Sequence, residues 1–60
     1  MTAKDVIKLI EQNGWRLDSV KGSHHHFTHP DHKGKITVAV HKGDIPPGTL
    51  NHILKQAGLK

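Results

Sequence analysis

Apolar residues recur along the chain with two different periods, and the first period is helical. Four apolar side chains near the start share one helical face: Ala3, Val6, Ile7 and Ile10. Thr2 followed by Asp5 fits an N-terminal cap with a partial capping box, and Asn13-Gly14 supplies a left-handed stop. The pattern therefore predicts a first helix over about residues 3–13.

Three strand candidates follow, at residues 15–19, 24–29 and 35–41. Turn residues close each of them: Lys21-Gly22, then Pro30-Asp31 with Gly34, then Gly43-Asp44. The third candidate shows the clearest period of two in its apolar residues. Its apolar set is Ile36, Val38 and Val40, and its other face holds Thr37, Ala39 and His41. Such alternation is typical of a strand with one buried and one open face.

The second strand is unusual because most of its residues are histidines. Phe27 is its one large apolar residue, so we expect Phe27 to face the core. The period of two then places His25 and His29 on the core side. It leaves three residues on the open side: His24, His26 and Thr28.

The helical period returns after Pro46-Pro47-Gly48. Four apolar residues form one helical face: Leu50, Ile53, Leu54 and Ala57. Gly58 suits the C-terminal cap of this helix. The predicted order is helix, three-stranded antiparallel sheet, helix. We expect an α+β fold with both helices packed on one face of the sheet.

Composition narrows the class of protein. The 60 residues predict one small domain, residues 1–60. The chain has no cysteine, which excludes disulfides, thiolate zinc sites and cysteine nucleophiles. The longest apolar run, Val38 to Val40, is far shorter than a membrane span, and the start has no signal-like apolar stretch. We therefore expect a cytoplasmic protein that does not associate with membranes.

The charge balance favours a polyanionic partner. Nine Lys and Arg residues oppose five Asp and Glu residues, the formal net charge is +4, and seven histidines add to it when protonated. Five of the histidines lie between His24 and His32. Lysines in the predicted turns are ordinary solvated charges, or they steer an RNA backbone toward the open sheet face: Lys33, Lys35 and Lys42.

The run from Lys21 to Phe27 carries the sharpest chemical signal. Lys21, Gly22 and Ser23 suit a phosphate, and His24 and His26 lie about 6.6 Å apart along one strand face. RNA supplies its own nucleophile, the 2′-hydroxyl, so cleavage needs a general base but no metal, and histidine suits that role. DNA lacks this hydroxyl.

Other interpretations stand beside this one. His32, His52 and His41 are ordinarily structural or solvent-facing residues, and a core-side role suits His25. Alternating strand positions offer only two metal ligands on one face, so we predict no metal and no cofactor. Trp15 is either a base-stacking platform or the anchor of the junction between the first helix and first strand.

The order of motifs along the chain resembles the HicA family of toxins from prokaryotic toxin–antitoxin pairs. The resemblance covers essentially the whole chain through NGW at 13–15, KGSHHHF at 21–27, HP at 29–30, PGTL at 47–50 and ILKQAGL at 53–59. It implies a fold like the double-stranded-RNA-binding domain. It also implies a metal-independent ribonuclease that cleaves mRNA and is neutralised by a HicB-like antitoxin. The family's catalytic histidine, directly after Gly-Ser, corresponds to His24.

The leading hypothesis is an endoribonuclease toxin in which His24 is the general base. Lys21, Gly22 and Ser23 hold the scissile phosphate, and His26 is a candidate donor of a proton to the leaving oxygen. We expect the toxin alone not to bind DNA directly. Two alternatives remain: a non-catalytic RNA-binding module of the same fold, and a chiefly protein-binding domain whose basic face docks an acidic partner.

Overall fold

The computed structural model describes residues 1–60 as two helices and one sheet. In chain order the elements are α1 (Ala3–Gln12), β1 (Arg16–Lys21), β2 (His24–His29), β3 (His32–Ala39) and α2 (Pro47–Gln56). The strands pair antiparallel in the order β1-β2-β3. This architecture confirms the predicted α-β-β-β-α order. Neither helix is long and apolar enough to cross a membrane.

The first helix begins at a complete capping box. The Asp5 backbone N–H donates to Thr2 Oγ1 at 3.2 Å, and the Thr2 backbone N–H donates to the Asp5 carboxylate at 3.0 Å. The backbone hydrogen bond from Thr2 lowers the pKa of Asp5, so the carboxylate stays ionised at neutral pH. The helix ends one residue before the predicted boundary, and Gly14 follows with φ of +94°.

The first strand differs from the predicted 15–19 segment. It begins at Arg16 and continues to Lys21, so Lys21 lies in the strand rather than in the turn. Trp15 precedes the strand and is only 3% exposed, and its Nε1–H donates to the Ala57 carbonyl at 3.4 Å. The indole therefore joins the end of α1 to the end of α2, as an anchor does, and a buried ring is not a base-stacking platform.

The third strand was also predicted at the wrong position, because it spans residues 32–39 rather than 35–41. The turn after β2 consists of Pro30-Asp31 alone, since His29 already pairs with His32. Gly34, predicted to close that turn, lies inside β3 with φ of +82°. The register between β2 and β3 shifts between Phe27 and His29. This shift identifies a bulge in β3, and Gly34 is one of its residues.

A single layer of buried side chains connects both helices to one face of the sheet. Its members come from α1, from the junction before β1, from β2 and β3, and from α2 with the residue that caps it: Ala3, Val6, Ile10, Trp15, Phe27, Ile36, Val38, Ile53 and Ala57. The edge strand β1 stays exposed along its whole length. Leu17 pairs with Phe27 on the same sheet face yet is 51% exposed, because the helices cover β2 and β3 instead.

An aromatic cluster closes the sheet end farthest from the β1–β2 turn. The His29 ring centroid lies 5.2 Å from Trp15 and 4.6 Å from His32. His29 Nε2–H donates to the Asn13 carbonyl at 3.0 Å, and His29 Nδ1 accepts from the Asp31 backbone N–H at 3.0 Å. This pair of bonds requires the neutral ring with its proton on Nε2. His29 and His32 are therefore structural residues.

Gly14→Ala is expected to reduce the free energy of unfolding by about 2–3 kcal/mol. A left-handed backbone costs an L-residue about 1–2 kcal/mol, and a Cβ at Gly14 would lie 2.7 Å from His29 Nε2, disturbing its hydrogen bond. Gly43→Ala is the matched control, because Gly43 has φ of +87° but no atom near its Cβ position. Urea unfolding measures both variants, and equal reductions would show that the contact with His29 contributes nothing.

Candidate functional site

The β1–β2 turn brings the first and last residues of the predicted phosphate site, Lys21 and His24, next to each other. Lys21 and His24 are paired directly across the two strands, and Gly22-Ser23 form the two-residue loop between them. Gly22 has φ of +59° and Ser23 does not have a positive φ, as in a type II′ turn, which calls for glycine at its first central position. The Ser23 carbonyl accepts a hydrogen bond from the Val40 backbone N–H at 2.8 Å. The turn is therefore tied to the end of β3.

His24 and His26 face the open side of the sheet, as the alternation predicts. His24 pairs with Ala39 and is exposed, whereas His26 pairs with Thr37 and is half-buried. His26 Nδ1 lies 2.8 Å from Thr37 Oγ1 and shares a hydrogen bond with it, which orients the ring. The two imidazoles therefore differ: the position of His26 is set by a neighbouring strand, while His24 is free to meet a ligand.

A cavity of about 310 Å³ opens beside His24. It lies between the end of β3, the segment of residues 41–46 and the start of α2. Apolar side chains form part of its lining, including Ala3, Val38, Ile45 and Ile53. Polar side chains border it as well: His24, Thr37, His41, Lys42, Asp44 and Thr49. The structure thus joins residues 24 and 41–49, which are far apart in the sequence.

His41 is the residue at this site that the sequence interpretation assigned to an ordinary structural role. It lines the same cavity as His24 and is exposed. The alternation of the predicted third strand placed His41 on the open face with Thr37 and Ala39, but β3 ends at Ala39 and His41 follows it. The sequence did not show that this end of the third strand lies beside His24, because the pairing of His24 with Ala39 depends on the register between β2 and β3.

The predicted RNA-steering lysines lie in three different environments. Lys42 borders the cavity beside His24. Lys35 Nζ is 3.1 Å from an Asp18 carboxylate oxygen, so the positive charge of Lys35 is already paired on the open face. Lys33 is exposed near the β2–β3 turn, at the opposite end of the sheet from His24. Lys21 and Lys42 are therefore the lysines that the structure brings to His24.

Charged groups of both signs border the cavity, Lys42 and Asp44 among them, and the start of the second helix adds a further positive contribution. The second helix begins there at Pro46 without a side-chain cap and without an acidic residue in its first turn. The N-terminal end of a helix carries partial positive charge, which adds to the charge of Lys42. No three histidine, aspartate or glutamate side chains converge in a cluster able to hold a metal ion.

Comparison with protein families identifies a relationship over nearly the whole chain. A model of the family described as HicA toxin of bacterial toxin-antitoxin matches residues 3–59. Comparison with curated proteins gives no significant match. The segment that the family model matches includes both helices, all three strands and every residue that borders the cavity.

Proposed function

Because the chain belongs to the HicA toxin family of bacterial toxin–antitoxin systems, we propose that it is a metal-independent endoribonuclease that cleaves mRNA in the cytoplasm and so inhibits translation. One observation supports this activity most directly. An exposed imidazole, His24, lies across from Lys21 on an open sheet face and beside a cavity large enough for part of a nucleotide. A base for the 2′-hydroxyl and a cation at the phosphate are two of the groups that transphosphorylation of RNA uses.

In the proposed reaction His24 removes the proton from a ribose 2′-hydroxyl. The resulting oxygen attacks the adjacent phosphorus, and the products carry a 2′,3′-cyclic phosphate and a 5′-hydroxyl. Lys21 stabilises the negative charge that develops on the phosphoryl oxygens. Gly22 lets the phosphate approach the turn closely, since the space where a side chain would stand is open. Ser23 supplies a hydroxyl at the same turn.

The remaining residues of the open face are proposed to bind the RNA backbone. His26, held by Thr37, contacts the strand next to the scissile phosphate. Lys42 attracts RNA at the cavity, and Lys33 and Lys35 extend the basic track toward the other end of the sheet. The contribution of Lys35 is reduced by its ion pair with Asp18, because a paired charge has less attraction left for phosphate.

Lys42→Ala is expected to weaken RNA binding more than Lys35→Ala. A lysine that neutralises one phosphate of a single strand contributes about 0.7 to the slope of log K against log salt, and its removal reduces the slope by that amount. The full reduction is expected for Lys42, and a smaller one for Lys35 because its solvent-exposed ion pair with Asp18 partly offsets its charge. Fluorescence anisotropy of a labelled single-stranded RNA over a salt series, in a His24→Ala background that prevents cleavage, measures both. Equal slopes for the two variants would contradict this ranking.

The antitoxin of the pair is proposed to be a HicB-like protein. A toxin of net charge +4 favours an acidic partner surface, and one that pairs with Lys21 and Lys42 would also cover His24. Such a partner inhibits by competing with RNA for the same face. It needs no change in the toxin's fold.

The test of the proposed function is cleavage of a defined single-stranded RNA in excess EDTA, with the chemistry of the product ends determined by mass spectrometry. Cyclic phosphate ends that form in EDTA would support metal-independent transphosphorylation. RNA that binds but stays intact would instead favour the non-catalytic RNA-binding module. A chain that releases RNA at modest salt but keeps its protein partner would favour the protein-binding alternative.

A further inference from the structure

The cavity beside His24 contains a second histidine, and we infer that His41 is a catalytic residue that donates a proton to the leaving 5′-oxygen. The inference rests on the proposed ribonuclease function and adds the acid that this reaction needs. The reaction needs two proton transfers, and removal of the 2′-hydroxyl proton is only the first of them. The departing 5′-oxygen is a poor leaving group unless it is protonated as the bond to phosphorus breaks.

His41 follows β3, which ends at Ala39, and it reaches His24 through the cavity that both residues line. Ala39 is paired with His24, and the hydrogen bond from the Val40 N–H to the Ser23 carbonyl extends this pairing by one residue. His41 follows at once, two residues beyond Ala39. Ala39 also lines this cavity, and a phosphate bound there is the proposed meeting point of the two imidazoles.

His26 is the other histidine available for this role, and its surroundings favour it less. The ring of His26 is half-buried and shares a hydrogen bond with Thr37 through Nδ1. It does not border the cavity, whereas His41 does. Two charged side chains border the cavity near His41. Lys42 is a cation, and Asp44 faces the Met1 α-amino group at 3.8 Å.

The proton balance of the step is complete with two histidines. His24 begins neutral and accepts the proton of the 2′-hydroxyl as the new bond from that oxygen to phosphorus forms. His41 begins as imidazolium and gives its proton to the 5′-oxygen as the bond from phosphorus to that oxygen breaks. The enzyme is left with His24 protonated and His41 neutral. Exchange with water restores the starting states.

The experiment compares two substrates that differ only in the leaving group. One is a dinucleotide with the ordinary 5′-oxygen, and the other carries sulfur at that bridging position. A thiolate leaves without protonation. We expect His41→Ala to be about 10²–10⁴-fold slower than wild type on the oxygen substrate and close to wild type on the sulfur substrate. His24→Ala is expected to be slow on both, because both need deprotonation of the 2′-hydroxyl.

His52→Ala is the matched control, because His52 is exposed on α2 and does not border the cavity. It should cleave both substrates at the wild-type rate. The assignment of His41 is overturned if His41→Ala cleaves the oxygen substrate normally, or is slowed equally on both substrates. Selective rescue of His26→Ala by sulfur, without rescue of His41→Ala, would assign the acid to His26. A wild-type protein that cleaves neither substrate would overturn the ribonuclease function itself.

Discussion

His24→Ala is expected to lower the rate of RNA cleavage about 10²–10⁴-fold, the usual contribution of a general base. The imidazole is the proposed acceptor of the 2′-hydroxyl proton. The two other histidines near it have other proposed roles, since His26 is bonded to Thr37 and His41 is the proposed proton donor. The measurement is single-turnover cleavage of a defined RNA in EDTA. Growth arrest on expression in a host cell should disappear in the same variant.

The loss of activity must be separated from a loss of folding or binding. Since His24 is exposed, its replacement should change the free energy of unfolding by no more than about 0.5 kcal/mol. Binding to a HicB-like antitoxin should also persist, because the partner is proposed to contact a wider surface that includes Lys21 and Lys42. His52→Ala provides the active control. Cleavage by His24→Ala at the wild-type rate would remove His24 from the mechanism.

Phe27→Ala is expected to unfold most of the protein at 37 °C. Phe27 is 1% exposed in the central strand, where it pairs with Leu17 on one side and Ile36 on the other. Truncation of a buried phenylalanine costs about 3–5 kcal/mol. A chain of 60 residues has a total free energy of unfolding of about 3–9 kcal/mol. The cost of the truncation is therefore comparable to the entire stability of the fold.

Leu17→Ala is the matched control for Phe27→Ala. The two residues are cross-strand partners on the same sheet face, but Leu17 is 51% exposed because no helix covers β1. We expect Leu17→Ala to cost less than about 1 kcal/mol, because roughly half of the side chain already faces water. Urea and thermal unfolding followed by circular dichroism measure both. Similar costs for the two variants would show that the helices cover β1 in solution.

Local patterns were enough to predict the elements whose signals lie within a few residues. The capping box of Thr2 with Asp5 joins residues three positions apart, and it forms as predicted. The histidine-rich strand His24–His29 has its predicted bounds because a tight turn lies at each end. The boundaries of β1 and β3 were wrong. Gly34 indicates a turn by its residue type, yet it occupies a bulge whose position depends on pairing with β2.

The sequence alone therefore determined the order of elements, the face of β2 that His24 occupies and the basic character of that face. These properties follow from residue type and a period of two along one strand. Tertiary structure decided which distant residues join the site. The end of β3 beside His24 leads to His41 and Lys42, and an ion pair across the sheet reduces the charge that Lys35 can offer to RNA. Such contacts depend on register between strands, and register is set by the packing of the whole sheet against its helices.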